Sequence, residues 1–376
     1  MLAAALFSAG LLFVLYVLFG YPLLLALIAR LRPRAVHKSR QRKTVSVLIA
    51  VYNGEQFMAA KLRSVLALDY PRELMEVLVV SDGSTDATDS IVESFAAEGV
   101  RLLRVPRGGK CAALNAGIAA CGGEILALTD VRQTLAPDSL QHLVDCFADP
   151  AVGVVSGELV IRQGQSEPEA ALGLYWRYEF WIRDRLSRID SIFGATGSYC
   201  ALRRELAVPI PPEMLLDDMY LPLAAFFRGY RLIVEPRARA FDYPASPKTE
   251  FRRKVRTLAG NYQILRAYPA LLTPRNRMWF HFLSYKLGRL LLPAMLLLMV
   301  VTALLLPPPW RWLAAGCQAA FYGLAALDLL IPEGAVLKRL SAPARAFVVF
   351  MIAAACAVAV FFVPPQRLWK VTSAGG

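Results

Sequence analysis

The stretch M-E-V-L-V-V-S-D-G-S-T-D-A-T, residues 75–88, sets the fold class of this chain. An apolar run of strand length ends abruptly in Ser, Asp, Gly and Thr, the composition of a turn. The run shows no alternation of polar and apolar positions, so it reads as a strand buried on both faces. Asp82 stands where that strand gives way to the turn. In an open α/β sheet this is the edge at which ligands bind.

The same unit recurs on either side. V-S-V-L-I-A-V-Y (45–52) reads as a buried strand, followed by a helix from Glu55 to Leu68. After residue 88 come a helix over Ala87–Ala97, a strand at 100–105, a helix over Lys110–Ala120 and a strand at 124–129. A helix over Pro137–Ala148 and a strand at 152–160 complete the series. Regular alternation of strand and helix predicts a doubly wound, mostly parallel α/β sheet with right-handed crossovers.

Outside this region the chain is too apolar for an ordinary soluble protein: 56% of its residues are hydrophobic and mean hydropathy is +0.44. Residues 2–29 carry no charge, and about 20 such residues span a bilayer. With no basic leader and no cleavage-site pattern, residues 1–30 read as a retained anchor rather than a signal peptide. Arg30, Arg32, Arg34, Lys38, Arg40, Arg42 and Lys43 follow with no acid among them, which places this flank in the cytoplasm. Three further apolar stretches, 287–306, 312–331 and 345–363, bring the expected total to about four transmembrane helices. Residues 168–190 and 250–275, rich in arginine and aromatic side chains, have the character of helices lying in the membrane interface. The organisation expected is therefore an anchor (1–30), a cytoplasmic domain (44–250), a basic interfacial helix (250–275), three spans (280–363) and a tail (364–376) in a multi-pass protein of the cytoplasmic membrane.

The formal net charge of +13 does not point to nucleic acid. Much of it flanks the apolar segments, where anionic lipid headgroups are the natural partner. The six cysteines show no C-x-x-C pair. The four in the cytoplasmic domain read as reduced, buried packing residues.

Several polar residues invite a chemical reading, each beside an ordinary structural one. Asp82 and the turn residues Tyr52, Asn53 and Glu55 end neighbouring strands and can accept hydrogen bonds from a nucleoside, or simply build turns. Gly108-Gly109-Lys110 opens a helix, where bare backbone, helix dipole and ammonium favour an anion, although this is not a P-loop. Asp130 follows the run I-L-A-L-T and can ligate Mg2+ or Mn2+ beside a phosphate, or cap a turn. Asp217-Asp218 open another helix, where a general base would be rigidly mounted and where the helix dipole alone also favours acids.

Taken together, V-S-V-L-I-A-V-Y-N-G-E, V-V-S-D-G-S-T-D, G-K-C-A-A-L-N-A-G, T-D-V-R, F-G-A-T-G-S-Y-C-A-L-R-R, L-D-D-M-Y-L-P and R-R-K-V-R-T fall in one order. Over residues 44–268 the chain resembles the family 2 glycosyltransferases, and among them the membrane-integrated processive synthases of hyaluronan, chitin, cellulose and poly-N-acetylglucosamine. The resemblance implies a GT-A type catalytic domain acting on a nucleotide sugar, with UDP as the carrier. It implies that Asp82 binds the uridine, that Lys110 assists at the nucleotide, and that Asp130 holds the metal. Asp218 becomes the general base, with Asp217 in the place of the family's Glu. Arg253 and Arg256 match Q/R-x-x-R-W and would face the diphosphate, while Gly194, Thr196, Gly197 and Ser198 would lie near the acceptor.

Two positions depart from the family pattern. Arg132 stands where the second acid of D-x-D is expected, which weakens the metal site and puts a cation beside the diphosphate. Thr257 replaces the Trp that would carry the acceptor sugar. The function expected is inverting transfer of a hexosyl or N-acetylhexosaminyl group to a growing surface polysaccharide. Transfer to a lipid-linked acceptor is the alternative, favoured because four spans make a thin wall for a polymer channel without a homo-oligomer or accessory subunit. A catalytically silent binding subunit of a synthase complex is the reading of another class.

Overall fold

The computed structural model describes residues 1–161, 167–243, 247–332 and 334–362. The chain divides into two compact units. One is drawn from Met1–Leu31, Gln163–Ile182 and the chain from Pro244 onward, the other from Arg32–Arg162 and Arg183–Tyr243.

The chain begins with α1 (Leu2–Leu15) and α2 (Tyr21–Leu31), joined by a single wider helical turn. The second unit then starts its sheet with β1 (Val45–Val51), α3 (Glu55–Leu66), β2 (Met75–Asp82), α4 (Thr88–Ser94) and β3 (Val100–Val105). It continues through α5 (Lys110–Ala120), β4 (Ile125–Thr129), the short β5 (Thr134–Leu135), α6 (Ser139–Asp145) and β6 (Val152–Ile161). Helix α7 (Glu167–Ile189) leads into β7 (Tyr199–Arg203), α8 (Asp217–Phe227) and β8 (Arg231–Asp242).

These strands form one eight-stranded sheet in the order β3-β2-β1-β4-β7-β6-β8-β5. β1, β2, β3 and β4 are mutually parallel, as the apolar runs predict. Their burial supplies the reason: Val47, Leu48, Ile49, Val77, Leu78, Val79, Leu126 and Ala127 are all essentially excluded from solvent. β7 runs antiparallel to both β4 and β6, an inversion the periodicity did not announce. Chain order reverses between β1 and β4, because β2 and β3 build outward on one side and β4 continues on the other. A crevice opens at such a reversal. There the parallel strands deliver their C-terminal ends and antiparallel β7 its N-terminal end, with Thr129 in register with Tyr199.

The linker from residue 32 belongs to this unit instead of hanging between membrane and domain, so the unit starts before the expected residue 44. Arg231, 1% exposed, donates to the carbonyl oxygens of Arg34, Ala35, Ser187 and Asp190. Arg34 also pairs with Asp190 at 2.7 Å, Lys38 with buried Glu235, and Lys43 with Glu124 at 3.2 Å. Three of the cations read as a lipid-facing flank are thus bound to protein carboxylates.

In the other unit come α9 (Pro247–Ala267), α10 (Trp279–Phe282), α11 (Gly288–Leu304), α12 (Trp310–Leu327) and α13 (Lys338–Cys356). Among the described residues three helical segments are long and apolar enough to cross a membrane: Leu2–Leu31, Trp279–Leu304 and Lys338–Phe361. This corrects the expected four. The stretch around 312–331 forms α12, whose Arg311, Gln318 and Tyr322 dilute its apolar content below that of a span. Asp328, at the end of α12, is 1% exposed and is met by Ser341 at 2.6 Å, Arg345 at 3.2 Å and Lys338 at 3.4 Å. Lys338 and Arg345 thus neutralise a buried acid. The expected interfacial segments are helical, in α7 and α9. The side chains of Tyr175 and Trp176 and the tail 364–376 lie outside the described residues.

Candidate active site

At one end of the crevice Asp82 is 2% exposed and heavily bonded. Its Oδ1 accepts from the backbone N–H groups of Gly108 (2.7 Å) and Gly109 (3.1 Å), and Oδ2 accepts from Gly109 (2.9 Å) and from the Arg107 guanidinium. Gly109 takes φ 88°, a left-handed conformation that turns its N–H toward the carboxylate at little steric cost. The Arg107 guanidinium in turn lies 3.6 Å from the centre of the Tyr52 ring, which is 40% exposed. Tyr52, Asp82 and Arg107 therefore form one flat, polar-edged platform. Arg107 was not among the expected site residues; its signal was a cation directly before the Gly-Gly pair.

The expected partners Asn53 and Glu55 are spent on structure. Asn53, at φ 49°, exchanges bonds with Thr85, and Glu55 accepts from the Ala87 N–H at 2.9 Å. These bonds lock the turn after β1 onto the turn after β2.

Deeper in the crevice Lys110 reaches Asp130 at 3.0 Å and Asp217 at 3.2 Å. Burial alone would draw the Lys110 ammonium below its ordinary range, but Asp130, Asp217 and Asp218 outweigh it and hold it above that range. One ammonium thus joins the end of β4 to the start of α8. The crevice around it is lined by Ala50, Leu128, Gly197, Cys200, Asp218 and Leu221 among others. Burial disfavours the thiolate at both neighbouring cysteines, pushing Cys111 up to about 12 and Cys200 up as well.

The loop 194–198 faces Asp218. The Ala195 N–H donates to the Asp218 carbonyl at 2.7 Å, and a β-carbon at Gly197 would stand 3.1 Å from Asp218 Oδ2. The loop is itself held from α7: Arg183 donates to Thr196 Oγ1 at 2.7 Å, Ser156 Oγ at 2.9 Å and the Gly194 carbonyl at 3.1 Å. Sequence reading missed Arg183, because nothing separates it from the other arginines of an amphipathic helix. Among the described residues Ser198 Oγ is buried with no hydrogen-bond partner.

Arg132 is engaged on the far side of its loop from β4. Its guanidinium pairs with buried Asp242 at 2.7 Å and donates to the Tyr243 carbonyl at 2.6 Å. Arg253, Arg256 and Thr257 lie on α9 in the other unit, where Thr257 Oγ1 caps the Arg253 carbonyl at 2.9 Å. Among the described residues no three His, Cys, Asp or Glu side chains gather into a metal cage. The donor set fits instead an ion carried mainly by substrate phosphates, with the 39% exposed Asp130 carboxylate as its protein ligand.

The model of glycosyl transferase family 2 matches residues 46–208, and that of glycosyl transferase family group 2 matches residues 128–361, more than half the chain. The chain belongs to glycosyl transferase family group 2. The enzyme class expected from the sequence therefore holds. A beta-monoglucosyldiacylglycerol synthase of Trichormus variabilis is 33% identical over 186 residues, 46% of this chain and 39% of that protein. A poly-beta-1,6-N-acetyl-D-glucosamine synthase of Staphylococcus epidermidis is 26% identical over 239 residues, 60% of this chain and 56% of that protein. The match spans about half the length of these curated relatives. Among solved structures, the mannosyltransferase PcManGT from Pyrobaculum calidifontis, in complex with GDP-Man and Mn2+, superposes with a TM-score of 0.72 at 24% identity. It covers 95% of this chain and 99% of that one, so the two chains share a fold.

Proposed function

We propose that the chain is a membrane-bound inverting glycosyltransferase that moves one or a few sugars from a nucleoside diphosphate carrier to a hydroxyl of a lipid-linked acceptor. The observation that supports the chemistry is the pair of adjacent acids that α8 delivers to the crevice. Asp217 pairs with Lys110 at 3.2 Å, and a β-carbon at Gly197 would lie 3.1 Å from Asp218 Oδ2.

In this mechanism the nucleobase stacks on Tyr52 and meets the Asp82–Arg107 edge, with Arg107 moving off the ring as the base arrives. The diphosphate lies toward Lys110 and Asp130. A divalent cation there would be held by Asp130 and would offset charge on the departing diphosphate. Lys110 offsets the same charge from the protein side. Asp218 accepts the proton of the acceptor hydroxyl as that oxygen attacks the anomeric carbon, and the bond from that carbon to the diphosphate oxygen breaks.

The three candidate spans among the described residues favour the lipid acceptor over a polymer. Helices about 10 Å across, packed three together, enclose a seam and no lumen wide enough for a sugar chain. The relatives include synthases of both a glycolipid and a polysaccharide by name. The test is incubation of the detergent-solubilised full chain and native lipid extract with a panel of labelled nucleotide sugars, with and without Mn2+. A short chloroform-soluble product supports the proposal. A water-soluble polymer would move the assignment to a polysaccharide synthase.

A further inference from the structure

Beneath the crevice floor lies a charged group that no step above uses. Lys61, on α3, is 0% exposed, yet its Nζ donates to two neutral oxygens: Thr129 Oγ1 at 2.6 Å and the Gln133 carbonyl at 2.7 Å. A buried ammonium without a carboxylate partner is costly, and a methionine would fill similar space without that cost. Burial draws the Lys61 ammonium down to about 7, against a smaller opposing pull from Asp130.

What the ammonium holds is specific. Thr129 and Gln133 bracket the loop that presents Asp130, so both ends of that loop are pinned from below by one group. The Thr129 hydroxyl, having accepted from Lys61, donates to the Ser198 carbonyl at 2.7 Å. Ser198 closes the loop whose Gly197 faces Asp218. A continuous chain thus runs from Lys61 through Thr129 to the acceptor-side loop, with Asp130 one residue from its middle.

We infer that Lys61 is a positioning residue that fixes the Asp130 loop and the 194–198 loop in one register, so that the donor and Asp218 meet correctly. The inference rests on the transfer reaction proposed above. Lys61 touches no substrate; it acts through Thr129. A 1 Å error in such a register is enough to cost a large part of the rate.

The experiment compares the full chain in detergent with Lys61→Met, Thr129→Val, Thr129→Ser and the double variant Lys61→Met/Thr129→Val. Transfer kinetics, calorimetric binding of UDP with Mn2+ and thermal midpoint are read on the same preparations. Lys61→Met and Thr129→Val should each lower kcat by about 10-fold or more, as loss of an orienting partner does. Both should weaken UDP binding, Thr129→Ser should restore both quantities, and the double variant should be no worse than the poorer single one. Wild-type kcat and UDP affinity in Lys61→Met, or a fall in thermal midpoint alone, would overturn the inference. If Lys61→Met does not fold, the contrast between Thr129→Val and Thr129→Ser decides it. A wild-type chain that transfers from no donor would count against the proposed function, and UDP affinity across the series would still test Lys61.

Discussion

Gly197 stands against Asp218 so closely that a β-carbon there would lie 3.1 Å from the Asp218 carboxylate. The glycine is therefore a measure of how much space the base requires. Gly197→Ala should leave nucleotide affinity near wild type and lower kcat by about 10- to 100-fold, the cost of a displaced reacting group. Steady-state kinetics beside UDP calorimetry check this. Equal loss of binding and turnover would show that the loop serves the donor instead.

Lys110 bridges Asp130 and Asp217. Lys110→Met removes the cation that bridges them and leaves nearby carboxylates to repel each other and the diphosphate. Turnover should fall by about 100-fold or more, the scale of losing a preorganised charge at a leaving group. The donor KM should rise as well, and higher Mn2+ should recover part of the loss, which a metal titration of both proteins would record.

Tyr52 offers its ring at the crevice edge under Arg107. Base stacking is worth about 1–3 kcal/mol per base, so Tyr52→Ala should weaken UDP binding by about 5- to 100-fold while Tyr52→Phe retains most of it. Calorimetry on the two variants separates stacking from any role of the hydroxyl.

How much of this was legible follows from what each residue interacts with. Residues 75–88 announced β2 and its functional end because a strand buried on both faces leaves an unbroken apolar run. The placement of Asp82, Lys110 and Asp217 at element ends, of Asp130 just after β4 and of Asp218 one residue into α8 was legible from where apolar runs meet turns. Arg107, Arg183 and Lys61 were not, since their significance lies in partners 25, 13 and 68 positions away. The inversion of β7 was hidden for a similar reason: a buried antiparallel strand has the same apolar pattern as a parallel one. α12 was overread because length and a run of alanines outweighed Arg311 and Gln318. Arg132 was read by its motif position, whereas buried Asp242, 110 residues on, determines where it points.

The linker strap makes a prediction about acid. Burial alone would raise the Glu235 carboxyl, but its bonds from Lys38 and Arg237 outweigh that and hold it below its ordinary 4.5. A depressed carboxylate contributes stability that is present above the unfolded value and is lost as pH falls through the folded one. Glu235→Gln should therefore lower the thermal midpoint near neutrality, and the gap to wild type should close as pH drops from about 6 to about 3. A gap that widens in acid would contradict the assignment.

The central claim is that Asp218 carries the proton transfer while Asp217 is held by Lys110. Single-turnover transfer from a donor the wild-type chain uses, measured for wild type, Asp218→Asn and Asp217→Asn with donor bound to saturation, tests it most directly. The account predicts that Asp218→Asn binds UDP as wild type does and loses about 100-fold or more of its rate, the contribution of a general base. Asp217→Asn should lose less. Transfer at the wild-type rate by Asp218→Asn would contradict it.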